Sequence, residues 1–312
     1  MIKSLAYYLL YGVWYLLSVL PMWFHHGCAR VTAVIIHRIL RYRVGVVRRN
    51  LANAFPEMTE SERRDIEDEF YRFFCDYIAE TVKFGTMSHD EVRRRMVFTN
   101  FDQVNAILAE GQSVALYLGH YGNWEWITSL RDWITVDGGY YGHIYHPLEN
   151  EVFDRLFLTF RNRMGSQSIP MNQTLRFIRE AEKAGQPSLI GYISDQVPLW
   201  QNIHHWVTFF NQETPVFTGV ERIVRKFNQA VFYVDVERKG RGYYEATARL
   251  ITRDPASMPE FAITDAYFNL LEQNIRRAPA YWLWSHNRWK RTREEFDRRF
   301  TVVNGRVIER QP

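Results

Sequence analysis

The sequence of 312 residues is poor in cysteine and lacks several short motifs that define common enzyme classes. Its two cysteines, Cys28 and Cys75, cannot build a disulfide framework and do not form a C-x-x-C pair, so we expect packed, reduced thiols. No glycine-rich phosphate loop and no G-x-S-x-G segment is present, which excludes P-loop nucleotide chemistry and the serine-hydrolase elbow. His204 and His205 are adjacent and point apart on a regular element, without further ligands at recognisable spacing. We therefore expect neither a metal ion nor a cofactor.

Acidic residues are absent from residues 30–49, which contain six arginines. Such a basic run binds nucleic acid, an anionic membrane surface or an anionic ligand. The preceding segment favours one of these partners, because residues 5–24 carry no formal charge. As a helix they would span about 30 Å, the thickness of the hydrocarbon core of a bilayer. The predicted partner of the arginines is therefore the membrane surface and not nucleic acid.

The amino-terminal segment can be interpreted in three ways. A cleaved signal peptide is disfavoured, because the apolar stretch is long and no small-residue cleavage site follows it. A spanning helix and a helix lying in the membrane interface both remain open. We predict a membrane anchor over residues 1–29 and a single catalytic domain over residues 30–312. The arginines after the anchor place that domain in the cytoplasm by the positive-inside tendency.

The rest of the chain alternates between strand and helix patterns. Thr59 and Glu62 form a predicted capping box at the start of a long helix with a core-facing apolar stripe. The predicted strands are residues 113–118, 140–145, 188–194 and a hairpin of 231–237 with 243–251. The predicted helices are residues 124–133, 152–164, 174–183, 216–227 and 264–277. This order indicates an α/β fold with a mostly parallel central sheet flanked by helices.

Chemistry-bearing residues follow two of the predicted strands. His120 comes directly after the first strand, in "VALYLGHYGNWEW" at 114–126, and Asp195 follows the strand at 188–194. Open sheets bind ligands beyond the carboxyl ends of their strands, so both residues are expected in one site. Glu125, in the first turn of the next helix, can reach back and fix the imidazole tautomer. We predict a general-base dyad of His120 and Glu125, with Gly119 and Gly122 leaving room for substrate. The alternative is a structural histidine beside a helix-capping acid.

The H-x-x-x-x-E pattern of His120 and Glu125 resembles that of the bacterial lipid A late acyltransferases, the lauroyl/myristoyl acyltransferase family. Their glycerolipid-acyltransferase relatives typically carry aspartate at the position of Glu125. Five further blocks are similar to the family in sequence order: "RRNLANAFPEMTESER" at 48–63, "YHPLENEVFDRLFLTFRNRMG" at 145–165, "GYISDQ" at 191–196, "WVTFFNQETPVFTGVERIVRK" at 206–226 and "APAYWLWSHNRWK" at 278–290. The resemblance covers nearly the whole chain.

The resemblance implies a glycerolipid-acyltransferase-like α/β domain preceded by an N-terminal membrane helix. It also implies direct transfer of an acyl chain from an acyl carrier protein thioester, or acyl-CoA, to a hydroxyl of a glycolipid acceptor. By position it carries over His120, Glu125, Arg161 and Asp195 as functional residues, with Arg163 close behind. Arg161 suits a phosphate of the acceptor or of the carrier arm. Asp195 is expected to orient Arg161 or a substrate hydroxyl.

Other features of the sequence leave the acceptor open. The segment "DQVPLWQNIHHW" after Asp195 departs from the glycine-containing segment usual in the family. Asn123 is a candidate substrate contact, although capping of the helix fits it better. Arg288 and Lys290, set among tryptophans, are expected on the membrane surface, with packing of the tryptophans as the alternative.

We predict that the protein acylates lipid A precursors at the cytoplasmic face of a bacterial inner membrane. One alternative is acylation of another membrane lipid, such as a phosphatidylinositol mannoside. The other is a lipid-binding relative without catalysis.

Overall fold

The computed structural model describes residues 2–303 and 305–310 of the chain. Met1, Asn304 and residues 311–312, which belong to the predicted anchor and catalytic domain, lie outside the described residues. The α-helices are α1 Ile2–Val19, α2 Met22–Val34, α3 Val44–Ala54, α4 Glu60–Phe84, α5 His89–Arg95, α6 Phe101–Ala109, α7 Glu151–Arg161, α8 Thr174–Lys183, α9 Gly219–Lys226, α10 Ala262–Arg277 and α11 Arg293–Arg299. The strands are β1 Met96–Thr99, β2 Val114–Leu118, β3 Tyr140–Tyr145, β4 Gln167–Pro170, β5 Ser188–Ile193, β6 His205–Phe209, β7 Gln212–Val216, β8 Ala230–Gly240, β9 Tyr243–Thr252, β10 Phe300–Val303 and β11 Arg306–Glu309.

A central sheet of seven strands has the order β1-β9-β8-β2-β5-β3-β4. Only the β8–β9 hairpin pairs antiparallel within it, and the other neighbours run parallel. The middle strand β2, "VALYL", is buried along its whole length because helices cover both faces of a parallel sheet. The predicted α/β class with a mostly parallel sheet is confirmed.

The long helix α4 begins at the predicted capping box. The backbone N–H of Thr59 donates to Glu62 Oε2 at 2.7 Å, and the Glu62 N–H donates to Thr59 Oγ1 at 3.3 Å. Its predicted apolar stripe lies largely in the core, with Phe70 and Phe73 buried, whereas Ile78 is exposed. The box therefore fixes where this helix starts, and the stripe fixes which face packs into the core.

The amino-terminal apolar segment consists of two helices and not one. Helix α1 ends at Val19, and α2 begins at Met22 after Pro21, whose ring removes a backbone donor and favours a break. The two helices are bent by 109°. Among the described residues, no single helix is long and apolar enough to cross a bilayer. Only this bent pair has the required length and apolarity, and only when its two helices are counted together. The prediction of one continuous helix over residues 5–24 is therefore wrong.

Several local predictions also differ from the structure. The predicted α-helix at 124–133 is a 3₁₀ helix, Trp126–Trp133. The short hairpins β6–β7 and β10–β11, and the edge strands β1 and β4, were not predicted from the pattern. Arg288 is fully buried, so its expected place on a membrane surface is wrong, and Trp282 and Trp284 are packed in the core.

Gly122 occupies a left-handed backbone position next to β8. Its φ is +60°, and a Cβ there would lie 2.7 Å from Cγ1 of Val236. Gly185 has a similar φ of +63°, but a Cβ there would meet no atom within 4 Å. Gly122 is therefore constrained by both the backbone and the packing, and Gly185 by the backbone alone.

We expect Gly122→Ala to lower the free energy of unfolding by about 2–5 kcal/mol, since a strained backbone and overpacking add. The control Gly185→Ala should cost about 1–2 kcal/mol, for the backbone alone. Denaturant unfolding of both variants in detergent checks this. Equal losses would show that the contact with Val236 does not constrain residue 122.

Candidate active site

The register of two neighbouring strands brings His120 and Asp195 together. Leu118, the last residue of β2, pairs in parallel register with Ile193, the last residue of β5. His120 and Asp195 each follow two residues beyond these strand ends. The predicted meeting of these residues at one edge of the sheet is confirmed.

The carboxylate of Asp195 binds His120 twice. Its Oδ1 lies 2.6 Å from Nδ1 of the imidazole, and its Oδ2 accepts the backbone N–H of His120 at 2.8 Å. Oδ2 also accepts the indole N–H of Trp282 at 2.8 Å. Burial raises the pKa of Asp195, but the charge and the hydrogen bonds of His120 and Trp282 outweigh it and bring this pKa down to about 2. Asp195 is therefore an ionised carboxylate at neutral pH.

An ionised carboxylate fixes the tautomer of the imidazole. It has no proton to donate, so Nδ1 of His120 carries the hydrogen, and in the neutral imidazole the lone pair lies on Nε2. The amide nitrogen of Gln196 lies 3.4 Å from Nε2, and 18% of the His120 side chain is exposed. Asp195 thus holds the ring through Nδ1, and Nε2 lies beside the Gln196 amide in a side chain that is partly exposed.

Glu125 does not make the predicted hydrogen bond to His120. It accepts two hydrogen bonds from Arg161, at 2.7 Å from Nε to Oε2 and 2.6 Å from Nη2 to Oε1. Gly122 turns the chain, and Glu125 precedes the 3₁₀ helix that begins at Trp126 instead of lying in the first turn of an α-helix. Its side chain therefore faces the end of α7, where Arg161 is the last residue. The acid that orients the imidazole is Asp195, and Asp195 does not orient Arg161.

Two aromatic rings connect the two acid–base pairs. The ring of Trp124 meets the imidazole of His120 edge to face, with centroids 5.3 Å apart. Trp124 stacks on Tyr77 at 4.0 Å, and the Tyr77 hydroxyl donates to Glu125 at 3.4 Å. His120 and Glu125 thus belong to one continuous cluster without touching each other.

Arg161 keeps its charge in this half-buried position. Burial lowers its pKa, but the hydrogen bonds and the charge of Glu125 raise it above the ordinary value. Nη1 of Arg161 makes no hydrogen bond to the described part of the chain, and about a quarter of the side chain is exposed. The guanidinium can therefore receive a further anionic oxygen.

The other two predicted substrate contacts serve the protein itself. Asn123 is fully buried, donates to Glu80 Oε2 at 2.9 Å and accepts the N–H of Trp126 at 3.2 Å, so these bonds use its side chain within the protein, and its substrate contact stays a prediction. Arg163 donates to the carbonyl of Phe84 at 3.1 Å. Its guanidinium lies apart from the Glu125 hydrogen bonds, and its substrate contact stays a prediction.

The space beside the two glycines of this loop is filled by protein. A Cβ on Gly119 would lie 2.6 Å from Cδ1 of Leu271 and 3.4 Å from Oδ2 of Asp195. The neighbour of Gly122 is Val236, as described above. These glycines make room for side chains of the protein. From the sequence alone we expect them to make room for the substrate instead.

Sequence reasoning missed three contributors to the site. Gln196 and Trp282 lie within blocks that resemble the family, and that position was their only signal. His143 on β3 lies between the hydroxyls of Ser166 and Ser168, and burial and the nearby Arg161 lower its pKa to about 4. Nothing in the local sequence around His143 indicated that it lies near the Glu125–Arg161 pair.

A histidine oriented by a buried aspartate, at the strand ends of an α/β sheet, is an arrangement that suits an enzyme using general-base catalysis. A family model described as "Bacterial lipid A biosynthesis acyltransferase" matches residues 1–291. The chain is also 24% identical over 281 residues to the lipid A biosynthesis lauroyltransferase of Escherichia coli (strain K12), covering 88% of this chain and 87% of that protein. The chain therefore belongs to the bacterial lipid A biosynthesis acyltransferase family and is an acyltransferase, which confirms the resemblance.

Which carboxylate hydrogen-bonds the imidazole of His120 can be tested without an activity assay. We expect Asp195→Asn to change the ¹⁵N signals of His120, because an amide no longer requires the hydrogen on Nδ1. Glu125→Gln should leave those signals nearly unchanged. Histidine-labelled protein in detergent micelles, assigned with His120→Gln, provides the measurement. The opposite ranking of the two variants would restore the predicted His120–Glu125 pair.

Proposed function

We propose that the protein transfers a fatty acyl chain from an acyl carrier protein thioester, or acyl-CoA, to a hydroxyl of a lipid A precursor. Membership of the lipid A acyltransferase family supports the reaction and the acceptor class. The hydrogen bond from His120 to Asp195 is the observation that carries the mechanism, because it fixes the hydrogen on Nδ1 and leaves Nε2 of a partly exposed ring as the proton acceptor.

In the proposed step, Nε2 of His120 takes the proton of the acceptor hydroxyl while its oxygen attacks the thioester carbonyl carbon. The C–O bond forms, the C–S bond breaks, and the thiolate leaves with the proton returned by the imidazolium. Asp195 stabilises the imidazolium and holds the ring. Base catalysis of this kind contributes about 10²- to 10⁴-fold, with positioning supplying the rest.

The ion pair of Glu125 and Arg161 has a separate role in this proposal. Glu125 uses both oxygens to hold two nitrogens of the guanidinium, which orients the remaining N–H groups of Arg161. These groups suit a phosphate oxygen of the acceptor or of the carrier's phosphopantetheine arm. Glu125 thereby acts on the substrate through Arg161 rather than through His120.

We also propose that α1 and α2 attach the enzyme to the cytoplasmic face of a bacterial inner membrane. One face of α1 packs on α7 through Tyr7, and one face of α2 packs on α4. The remaining surface is apolar and exposed, with Leu16 at 71% and Trp23 at 74%. Exposed arginines follow directly and suit anionic headgroups, at about 1 kcal/mol each. These features support burial of the outer helix faces in lipid.

The base assignment is tested with His120→Ala, which we expect to reduce acyl transfer by about 10²- to 10⁴-fold. His205→Ala is a matched control, since His205 also pairs with an aspartate, Asp265, at 2.7 Å but lies on β6. Membrane fractions are supplied with a lipid A precursor and, in separate reactions, with acyl carrier protein thioesters or acyl-CoA, and products are read by mass spectrometry. Equal transfer by wild type and His120→Ala would refute the mechanism. Wild-type protein that binds lipid but turns over neither thioester would favour a binding role.

The membrane attachment is tested with the double variant Leu16→Asp and Trp23→Asp. Each change removes an apolar side chain worth about 1.5–3 kcal/mol on burial, so binding to vesicles should fall by about 100-fold or more. The control places aspartate at Met171 and Leu199, which are 56% and 53% exposed. Flotation with vesicles of phosphatidylethanolamine and phosphatidylglycerol measures both. Equal binding by the two variants would show that the outer faces of α1 and α2 do not anchor the protein to the membrane.

A further inference from the structure

The carboxylate of Asp195 receives three hydrogen bonds, and only one comes from outside His120. That bond is the 2.8 Å contact from Nε1 of Trp282 to Oδ2. The other two donors are the backbone and the ring of His120, which are the groups that Asp195 orients. The aspartate is only 2% exposed, so solvent has little access to it. Trp282 is therefore the one side chain, among the described residues, that hydrogen-bonds Asp195 independently of His120.

The backbone around Trp282 is hydrogen-bonded to the loop that carries His120. Leu283 N–H donates to the carbonyl of His120 at 3.1 Å, and Gly122 N–H donates to the carbonyl of Tyr281 at 2.9 Å. Between these bonds, Tyr121 and Trp282 form an antiparallel bridge. The position of Trp282 along the chain is thus fixed relative to His120 before its side chain makes any contact.

The indole ring is held by other aromatic rings. It meets Trp284 edge to face at 4.8 Å and Phe209 at 5.8 Å, and it is 1% exposed. Such packing prevents the ring from rotating its N–H away from the carboxylate. The bond to Oδ2 is therefore imposed by the core.

A buried arginine, Arg288, adds positive charge near Asp195. Arg288 is fully buried and donates from Nη2 to the carbonyl of Pro215 at 2.8 Å, while Nε and Nη1 have no partner within the described residues. Burial lowers its pKa to about 10, and the charge of Asp195 opposes that shift. Arg288 thus stays cationic at neutral pH and favours the ionised form of the aspartate.

We propose that Trp282 is a positioning residue of the acyl transfer: its indole N–H fixes the carboxylate of Asp195, which in turn holds His120 with Nε2 towards the acceptor. This assignment rests on the proposed function of His120 and goes beyond it. It makes the carboxyl-terminal aromatic segment part of the catalytic apparatus rather than packing alone.

Trp282→Phe tests the assignment against Trp284→Phe. Trp284 is equally buried and also donates one indole hydrogen bond, at 2.6 Å, but to the carbonyl of Pro279. Loss of a hydrogen bond to a charged group should lower kcat by about 10- to 100-fold for Trp282→Phe, with KM changed by no more than about twofold. Phenylalanine at position 284 keeps an aromatic ring against Trp282 and removes the N–H that bonds Pro279, so Trp284→Phe should keep kcat within about threefold of wild type. Similar losses of kcat in both variants would show that Trp282 contributes packing alone.

A double-mutant cycle separates positioning from general damage. If Trp282 acts through Asp195, adding Trp282→Phe to Asp195→Asn should cost less than about threefold in single-turnover rate. The same factor in both backgrounds would overturn the proposal. Should Trp282→Phe fail to fold, the isostere 3-benzothienylalanine at position 282 keeps the ring and removes only the N–H.

The ¹⁵N signals of His120 keep the two proposals apart. Trp282→Phe should shift them and Trp284→Phe should not, whether or not any thioester is turned over. An unchanged spectrum in Trp282→Phe refutes the positioning role. A changed spectrum in a protein whose wild type transfers no acyl chain would instead refute only the proposed function.

Discussion

The hydrogen bonds between His120 and Asp195 are the constraint on which the rest of the site depends. A buried carboxylate is costly unless donors satisfy it, and here the donors include both the backbone and the ring of the residue that it serves. One carboxylate therefore fixes the loop after β2 and the orientation of the imidazole together. This is possible only because β2 and β5 are neighbours whose last residues pair in register. The sheet thus determines the chemistry at its edge.

A second buried acid connects that loop to the amino-terminal helices. Glu80 on α4 is fully buried, and its Oε2 accepts hydrogen bonds from Asn123 and Tyr244. Its Oε1 lies 3.2 Å from Nε2 of His26 on α2, and its carbonyl accepts the indole N–H of Trp126. Because buried polar groups seldom go without partners, this network fixes α2 relative to the loop that carries His120. A membrane that holds α2 would consequently hold the site at a defined depth.

The sequence predicts the strands of this site better than the contacts between their side chains. Runs of buried apolar residues locate β2 and β5, and the ends of those strands locate His120 and Asp195. Local spacing also favours Glu125 as the partner of His120, since it is only five residues away. The actual partner is 75 residues distant, and its contact depends on which strands are neighbours, a property of the whole sheet. Arg288 shows the same limit, because its aromatic context indicates a surface whereas packing buries it completely.

The two acids hydrogen-bond different partners, Asp195 the imidazole of His120 and Glu125 the guanidinium of Arg161, and this division has a chemical consequence. A general base must be neutral before it accepts a proton, and one ionised carboxylate is enough to orient an imidazole. A second carboxylate against the same ring would favour the imidazolium, which cannot accept a proton. The bidentate pairing of Glu125 with Arg161 neutralises this second charge and separates it from His120 by the rings of Trp124 and Tyr77. In the proposed mechanism, the guanidinium therefore keeps this second charge from favouring the imidazolium, and its remaining donors are available to an anionic substrate.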